Sequence, residues 1–297
     1  MDIGIKQLDG TIPNLALMQI GAYHKLRKDS VTMWEGPLFS YDKVYASKIF
    51  KFTEDALPSY VIRGGTGYNN DPLPSEIAAI EHSKGWFLYP DYHNHLGFAE
   101  RGCRLKCSFC VVPEKEGLPK EVATIESLLS NPLGQNRLVL LDDDFLGHPR
   151  WEDVFIELAD RKLKVCFSQG LNIRTITEKQ AHLLGKISLW NHKFTYRQIA
   201  FAWDNPKDEK TILRGFNRCL EAGIRPYKMQ FYVLIGYDST PEEDLHRVET
   251  LRKLGANPFV MAYDRKVQYQ KDFQRWVNHK AIFKTVKFKD YRGKGRC

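Results

Sequence analysis

Three cysteines stand within eight residues, Cys103-Arg104-Leu105-Lys106-Cys107-Ser108-Phe109-Cys110, at C-x3-C-x2-C spacing with an aromatic immediately before the last. Thiolates are the usual ligands of iron–sulfur clusters, which ordinarily take four of them. A [4Fe–4S] cluster has four irons, so three local thiolates leave one iron open. An open coordination position separates a metal centre that does chemistry from one that only holds a fold together. Structural zinc is the competing reading. It needs a fourth ligand at short spacing, and no fourth cysteine lies near.

The loop resembles the cluster loop of the radical S-adenosylmethionine (radical SAM) enzymes, whose signature is C-x3-C-x2-C with an aromatic before the third cysteine. The wider run, from Arg101-Gly102-Cys103 through Cys110-Val111-Val112-Pro113 to Glu116-Gly117, is similar to the cobalamin-binding-type branch in particular. The resemblance implies that Cys103, Cys107 and Cys110 ligate three irons and that SAM chelates the fourth through its amino and carboxylate groups. An electron from the cluster then cleaves SAM to methionine and a 5′-deoxyadenosyl radical, which abstracts hydrogen from a substrate. It further implies an electron donor such as flavodoxin or ferredoxin.

Such a loop needs a scaffold, and the sequence supplies one. From Leu96 onward, strand and helix patterns alternate six times. The strands are expected at Leu96–Ala99, Arg137–Leu141, Lys164–Phe167, Gln198–Trp203, Met229–Ile235 and Pro258–Ala262. Helices are expected at Thr124–Leu129, Trp151–Leu158, Glu178–Leu184, Thr211–Ala222 and Leu245–Leu254, the last preceded by Pro241-Glu242-Glu243-Asp244, a good helix start. Six units make an open, partial TIM barrel, (β/α)6, which is also the usual radical SAM fold. In such barrels the chemistry sits at the C-terminal ends of the strands, and polar clusters occupy those ends here.

After the second strand come Asp142, Asp143 and Asp144, three acids that repel one another. Asp142 and Asp144 lie on one side of an extended strand. By the resemblance, one of them binds the methionine ammonium of SAM. After the third strand, Gln169-Gly170-Leu171-Asn172-Ile173-Arg174 resembles the Q-G-L-N-x-R run of the cobalamin-type branch. Arg174 suits a carboxylate, which it can hold bidentately, while Gln169 and Asn172 suit ribose or substrate. Asp204 ends the fourth strand. Leu234, within Val233-Leu234-Ile235-Gly236, matches the apolar segment that flanks adenine in the family, with the Phe109 backbone near the adenine edge. For all of these, satisfaction of a surface loop is the plain alternative.

Ahead of the barrel, Ile3-Gly4-Ile5, Val31–Trp34, Val44–Ala46 and Tyr60–Ile62 read as short strands. Leu15, Met18, Ala22 and Leu26 recur at helical spacing behind Pro13. This is a small α/β layer with parallel strands, resembling a shortened Rossmann-like cobalamin-binding domain. It lacks the D-x-H-x-x-G run that ligates cobalt, so cobalamin is not expected. Residues 1–102 hold no cysteine, which disfavours the methylthiotransferases and their auxiliary cluster. Gly64-Gly65-Thr66-Gly67 reads as a turn or a phosphate cradle. His93 and His95 read as loop histidines or a metal pair, and Pro72 and Pro74 as a linker. The expected domains are 1–90 (truncated Rossmann-like), 91–265 (partial barrel) and 266–297 (C-terminal helix and basic tail).

The chain of 297 residues is 43% hydrophobic and 27% charged, ordinary for a globular protein, with no apolar run long enough for a membrane span. The start lacks a signal-peptide layout, and six cysteines with three clustered suit a reducing compartment, so the expected location is cytoplasmic. A net charge of +8 attracts anions. The expected substrate is RNA or a nucleotide, with a peptide or small molecule close behind. A metal-binding nucleic-acid module without catalysis is the rival class. Cys166 and Cys219 read as buried and inert. Tyr263, Tyr269 and Trp276 read either as lining the barrel's open side or as aromatic packing.

Overall fold

Short apolar and β-branched runs make the first sheet. In the computed structural model, which describes residues 1–291, the strands Asp2–Gln7, Ser30–Met33, Lys43–Ser47 and Ile62–Gly64 pair side by side and all parallel. Asp2–Gln7 lies between Ser30–Met33 and Lys43–Ser47, and Ile62–Gly64 forms the far edge. The helix Leu15–Leu26 returns the chain from the first strand to the second, and the Asn14 side chain accepts from the Leu17 N–H at its start. Ile3, Ile5, Leu17, Ile20, Val31, Ile77 and Leu88 form the core beneath this sheet.

The helix is rotated from its expected register. It buries Leu17, Met18, Ile20, Ala22 and His24, and leaves Leu26 57% exposed. His24 turns the face inward because both ring nitrogens are satisfied there, Nδ1 by Asp29 at 2.7 Å and Nε2 by the Tyr45 hydroxyl at 3.1 Å. The Gly64–Gly67 stretch is a turn of close approach. Gly65 has φ +96°, a Cβ there would strike the Lys48 carbonyl, and the Gly67 N–H donates to that same carbonyl at 3.0 Å. His93 and His95 are set apart, because the strand begins only at His95 and His93 lies in the loop before it. His95 is buried and accepts the Asn131 N–H, while His93 is exposed.

The described chain divides into two units, Met1–Gly97 with Glu126–Gln135, and Phe98–Ile125 with Asn136 onward. In the second unit, Arg137–Leu140, Lys164–Phe167 and Ser188–Leu189 pair in parallel, as do Ile199–Ala202, Met229–Ile235 and Asn257–Ala262. A parallel bridge joins the two sets: Leu171 lies beside Phe201, and its N–H donates to the Ala200 carbonyl at 2.8 Å. The architecture is therefore mixed α/β with parallel sheets. Along Met229–Ile235 burial alternates, with Met229, Phe231, Val233 and Ile235 buried and the residues between them half-buried.

The connecting helices are Trp151–Asp160, Glu178–Lys186, Glu209–Glu221 and Pro241–Lys253. Two of them carry full capping boxes, Thr177 with Gln180 and Thr240 with Glu243. The second box, with Pro241 at the first helical position, starts that helix at the Pro241-Glu242-Glu243-Asp244 run expected to open it. The stretch after the sheets forms Gln268–Asn278 and Lys280–Thr285. Trp276 is wholly buried there, donates to the Val286 carbonyl and packs on Phe273, Phe283 and Phe288, so it lines no open face. Arg292, Lys294, Arg296 and Cys297 lie outside the described residues. Among the described residues, no helix is long and apolar enough to cross a membrane.

Candidate functional site

Residues 102–119 form one loop closed at its base. Glu100–Arg101 pairs antiparallel with Lys120–Glu121, and the Arg101 guanidinium grips both Glu116 oxygens, at 2.9 and 2.7 Å. Such a two-point contact fixes orientation as well as distance. The Cys103 N–H donates to the Gly117 carbonyl at 3.0 Å, and the Cys110 N–H donates to the Cys107 carbonyl at 3.0 Å. Gly102 has φ +99°, and a Cβ there would run into the Leu118 carbonyl. Gly102→Ala is accordingly expected to cost about 2 kcal/mol or more, from left-handed strain plus the clash. Urea unfolding of the variant checks this, and a cost near zero would mean that the loop is not closed here.

Cys103, Cys107 and Cys110 are all half-buried and carry no disulfide. Burial pushes the Cys103 thiol up to about 11, against the Leu105 N–H that donates to its sulfur, with Asp144 and the other two thiols adding to the rise. Burial likewise raises Cys110, with Cys107, Asp143 and Asp204 also raising it and the Val112 N–H opposing. The thiols therefore feel one another's charge. Among the described residues, no three His, Cys, Asp or Glu side chains stand ready as a metal-holding group. As a donor set, three thiols on one clamped loop fit an iron–sulfur cluster with one iron left open.

The acids after strand Arg137–Leu140 stand beside this loop in distinct settings. Asp142 is buried and accepts the Glu100 N–H at 2.7 Å and the Ala99 N–H at 3.3 Å. Burial lifts its carboxyl to about 7 despite those bonds. Asp143 is lifted to about 6, again by burial, with the Gly102 N–H opposing. Asp144 pairs with Arg104 at 2.7 Å through one oxygen, while its other oxygen, Oδ1, is buried with no hydrogen-bond partner. Burial raises its carboxyl and Arg104 offsets part of that. Of the two expected alternatives, Asp142 is consumed by backbone, and Asp144 keeps a free acceptor.

Sequence reasoning missed Glu100. It is fully buried, and neither carboxyl oxygen has a partner. Burial and then repulsion from Asp142, Asp144 and Asp143 push it up to about 8. The signal was an acid closing the apolar run Leu96-Gly97-Phe98-Ala99 immediately before Arg101. Because the folded chain keeps a proton that the unfolded chain loses above its ordinary value of 4.5, this stability is complete below that value. It drains away as pH rises towards 8. Glu100→Gln is therefore expected to gain on the wild type between about pH 5 and pH 8, by on the order of 3 kcal/mol in the cluster-free chain. Urea midpoints at both pH values measure it, and a constant difference would mean Glu100 is charged when folded.

The remaining candidates are brought to the same end of the strands, with different degrees of freedom. Arg174 donates to Asp208 at 2.7 Å and to Asn172 at 3.0 Å, and it also reaches the Cys107 side chain. It is thus already engaged by a carboxylate of its own chain, and Asp208 was not foreseen. Asn172 keeps a buried, unpartnered Nδ2, whereas Gln169 is exposed. Asp204 accepts the Leu234 N–H at 3.0 Å, and its carboxyl is raised by burial against that bond and against Arg247 and Arg174. Leu234 is half-buried beside it. Phe109 is 39% exposed and meets Tyr237 edge-on at 5.6 Å. Cys166 and Cys219 are buried with thiols pushed up to about 12, far from reactive. No family model matches this chain, and no curated protein matches it either.

Proposed function

We propose that the chain is a cytoplasmic radical SAM enzyme, with Cys103, Cys107 and Cys110 holding a [4Fe–4S] cluster and SAM bound at the fourth iron. The observation that carries this reading is the clamped loop of three free thiols beside buried acids with unfilled acceptors. The cluster and SAM, when bound, supply the reductive cleavage that yields methionine and a 5′-deoxyadenosyl radical for hydrogen abstraction. Arg101 and Glu116 hold the loop's shape. Asp144 Oδ1 and the Glu100 carboxyl would receive the SAM ammonium, whose charge favours their ionised forms. Asn172 Nδ2 offers a donor to ribose or carboxylate, Arg174 counters negative charge at Cys107, and Phe109 and Leu234 offer apolar surface to adenine.

On this reading, the six strands expected from Leu96–Ala99 to Pro258–Ala262 are an open (β/α)6 barrel, and the first sheet is a truncated Rossmann-like domain without cobalamin. An electron donor such as flavodoxin or ferredoxin serves the cluster, and the positive charge favours an RNA or nucleotide substrate. The test is anaerobic reconstitution with iron and sulfide, followed by reduction in the presence of SAM and assay for 5′-deoxyadenosine. Formation of 5′-deoxyadenosine is the expected result. Tight zinc binding with no cleavage would instead make the loop structural.

A further inference from the structure

The strands of the second unit have a second functional end. Gln198 and Lys228 immediately precede the strands Ile199–Ala202 and Met229–Ile235, and Asn257 opens Asn257–Ala262. Parallel pairing puts these starts side by side, opposite the ends that carry Asp204 and Leu234. Met229–Ile235 spans about 20 Å at the usual strand rise, so this end is remote from the cysteine loop.

A groove of about 490 Å³ lies there, lined by Tyr196, Arg197, Tyr227, Lys228 and Lys280 together with the two amides Gln198 and Asn257. No carboxylate lines it. None of its three cations forms an ion pair among the described residues. Tyr196 and Tyr227 are 47% and 67% exposed, so a face of each ring is open to solvent. Cations sit against them, Lys280 at 5.3 Å from the Tyr196 ring and Lys228 at 5.8 Å from the Tyr227 ring. Asn257 Nδ2 donates to the Tyr227 carbonyl at 2.7 Å, which ties that segment to the strand start.

We propose that this groove binds single-stranded nucleic acid, with Tyr196 and Tyr227 stacking on bases and Arg197, Lys228 and Lys280 meeting phosphates. Arg197 donates to the Ser188 hydroxyl at 2.7 Å and lies over the Trp190 ring, but no carboxylate neutralises it. Exposed rings interleaved with cations that no carboxylate neutralises are the combination that unstacked strands require, since each base offers a face and each linkage a negative charge. A duplex hides its base faces and would use only the cations. An acidic protein would likewise leave the rings idle. The groove is an anchoring site apart from the reaction centre, and it stands whether or not the radical SAM reading does.

Fluorescence anisotropy with a short labelled oligouridylate, the matching duplex and labelled polyglutamate tests it on the full chain. The single strand is expected to bind most tightly. Tyr227→Ala is expected to weaken it at least about fivefold, the lower bound for losing one stacked base, while Tyr227→Phe retains binding. Arg197→Ala/Lys228→Ala should lower the slope of log affinity against log salt by about 1.4, at about 0.7 per lost contact. Cys107→Ala should bind as the wild type does, so a failure of the cluster chemistry leaves this outcome readable. Unchanged binding in the groove variants overturns the proposal, and so does a duplex or polyglutamate that binds as tightly as the single strand.

Discussion

Cys107→Ala is expected to give a folded chain that neither assembles an iron–sulfur cluster nor forms 5′-deoxyadenosine above background. Folding should survive because the loop is held by groups other than this thiol. The Arg101–Glu116 pair, the Glu100–Arg101 hairpin and the Cys103-to-Gly117 backbone bond all remain. A half-exposed side chain of this kind changes stability by roughly 0.5 kcal/mol or less. The cluster should not survive, since two local thiolates leave half of its irons without a protein ligand. Iron and sulfide content after reconstitution, 5′-deoxyadenosine yield and a thermal melt separate these effects. Cys166→Ala serves as the control, because its buried thiol is absent from the site and its cluster content should match the wild type. If Cys107→Ala kept both cluster and product, the three-thiol assignment would be wrong.

What the sequence disclosed follows from how local each signal is. Cys103, Cys107 and Cys110 can be singled out from sequence because the case for them rests on spacing within one loop. Met229–Ile235 has the expected bounds because a seven-residue run that is apolar except for Gln230, set between Pro226 and Gly236, has few other ways to fold. The helix Gln268–Asn278 falls inside the stretch read as a C-terminal helix for a similar reason. Long-range burial was not legible. Leu26 fits a helical stripe as well as Leu17 does, until His24 finds Asp29 and Tyr45. Glu100 looks like a surface acid until the chain after Arg137–Leu140 folds against it. The two-residue hairpin that shuts the cysteine loop has no periodicity to read, being Glu-Arg against Lys-Glu. Arg174 was read as open to a ligand, yet its partner Asp208 stands thirty-four residues away.

The same blindness covered Arg247, where the largest loss of stability is expected. On sequence it is one more charge in a polar helix, Pro241–Lys253. In the structure both it and Asp244 are fully buried, paired at 2.5 Å. Its guanidinium donates to the carbonyls of Trp203, Asp204 and Leu234 at 2.8, 2.7 and 2.9 Å. One side chain thus fastens the ends of two neighbouring strands, at the positions that hold two candidate site residues. Arg247→Met keeps the bulk, strands the Asp244 carboxylate and leaves three carbonyls without their donor. Breaking a buried pair from one side costs about 3–5 kcal/mol, a large part of the 5–15 kcal/mol that holds an ordinary domain together. Ser239 and Tyr269 still donate to Asp244 and soften the loss, which places the expected cost towards the lower figure. Asp244→Leu added to Arg247→Met removes the stranded charge, so the double variant should be more stable than the single. Urea midpoints of the three chains measure this ordering. A single variant within about 1 kcal/mol of the wild type would mean that water reaches the pair and that the strand ends are fastened by something else.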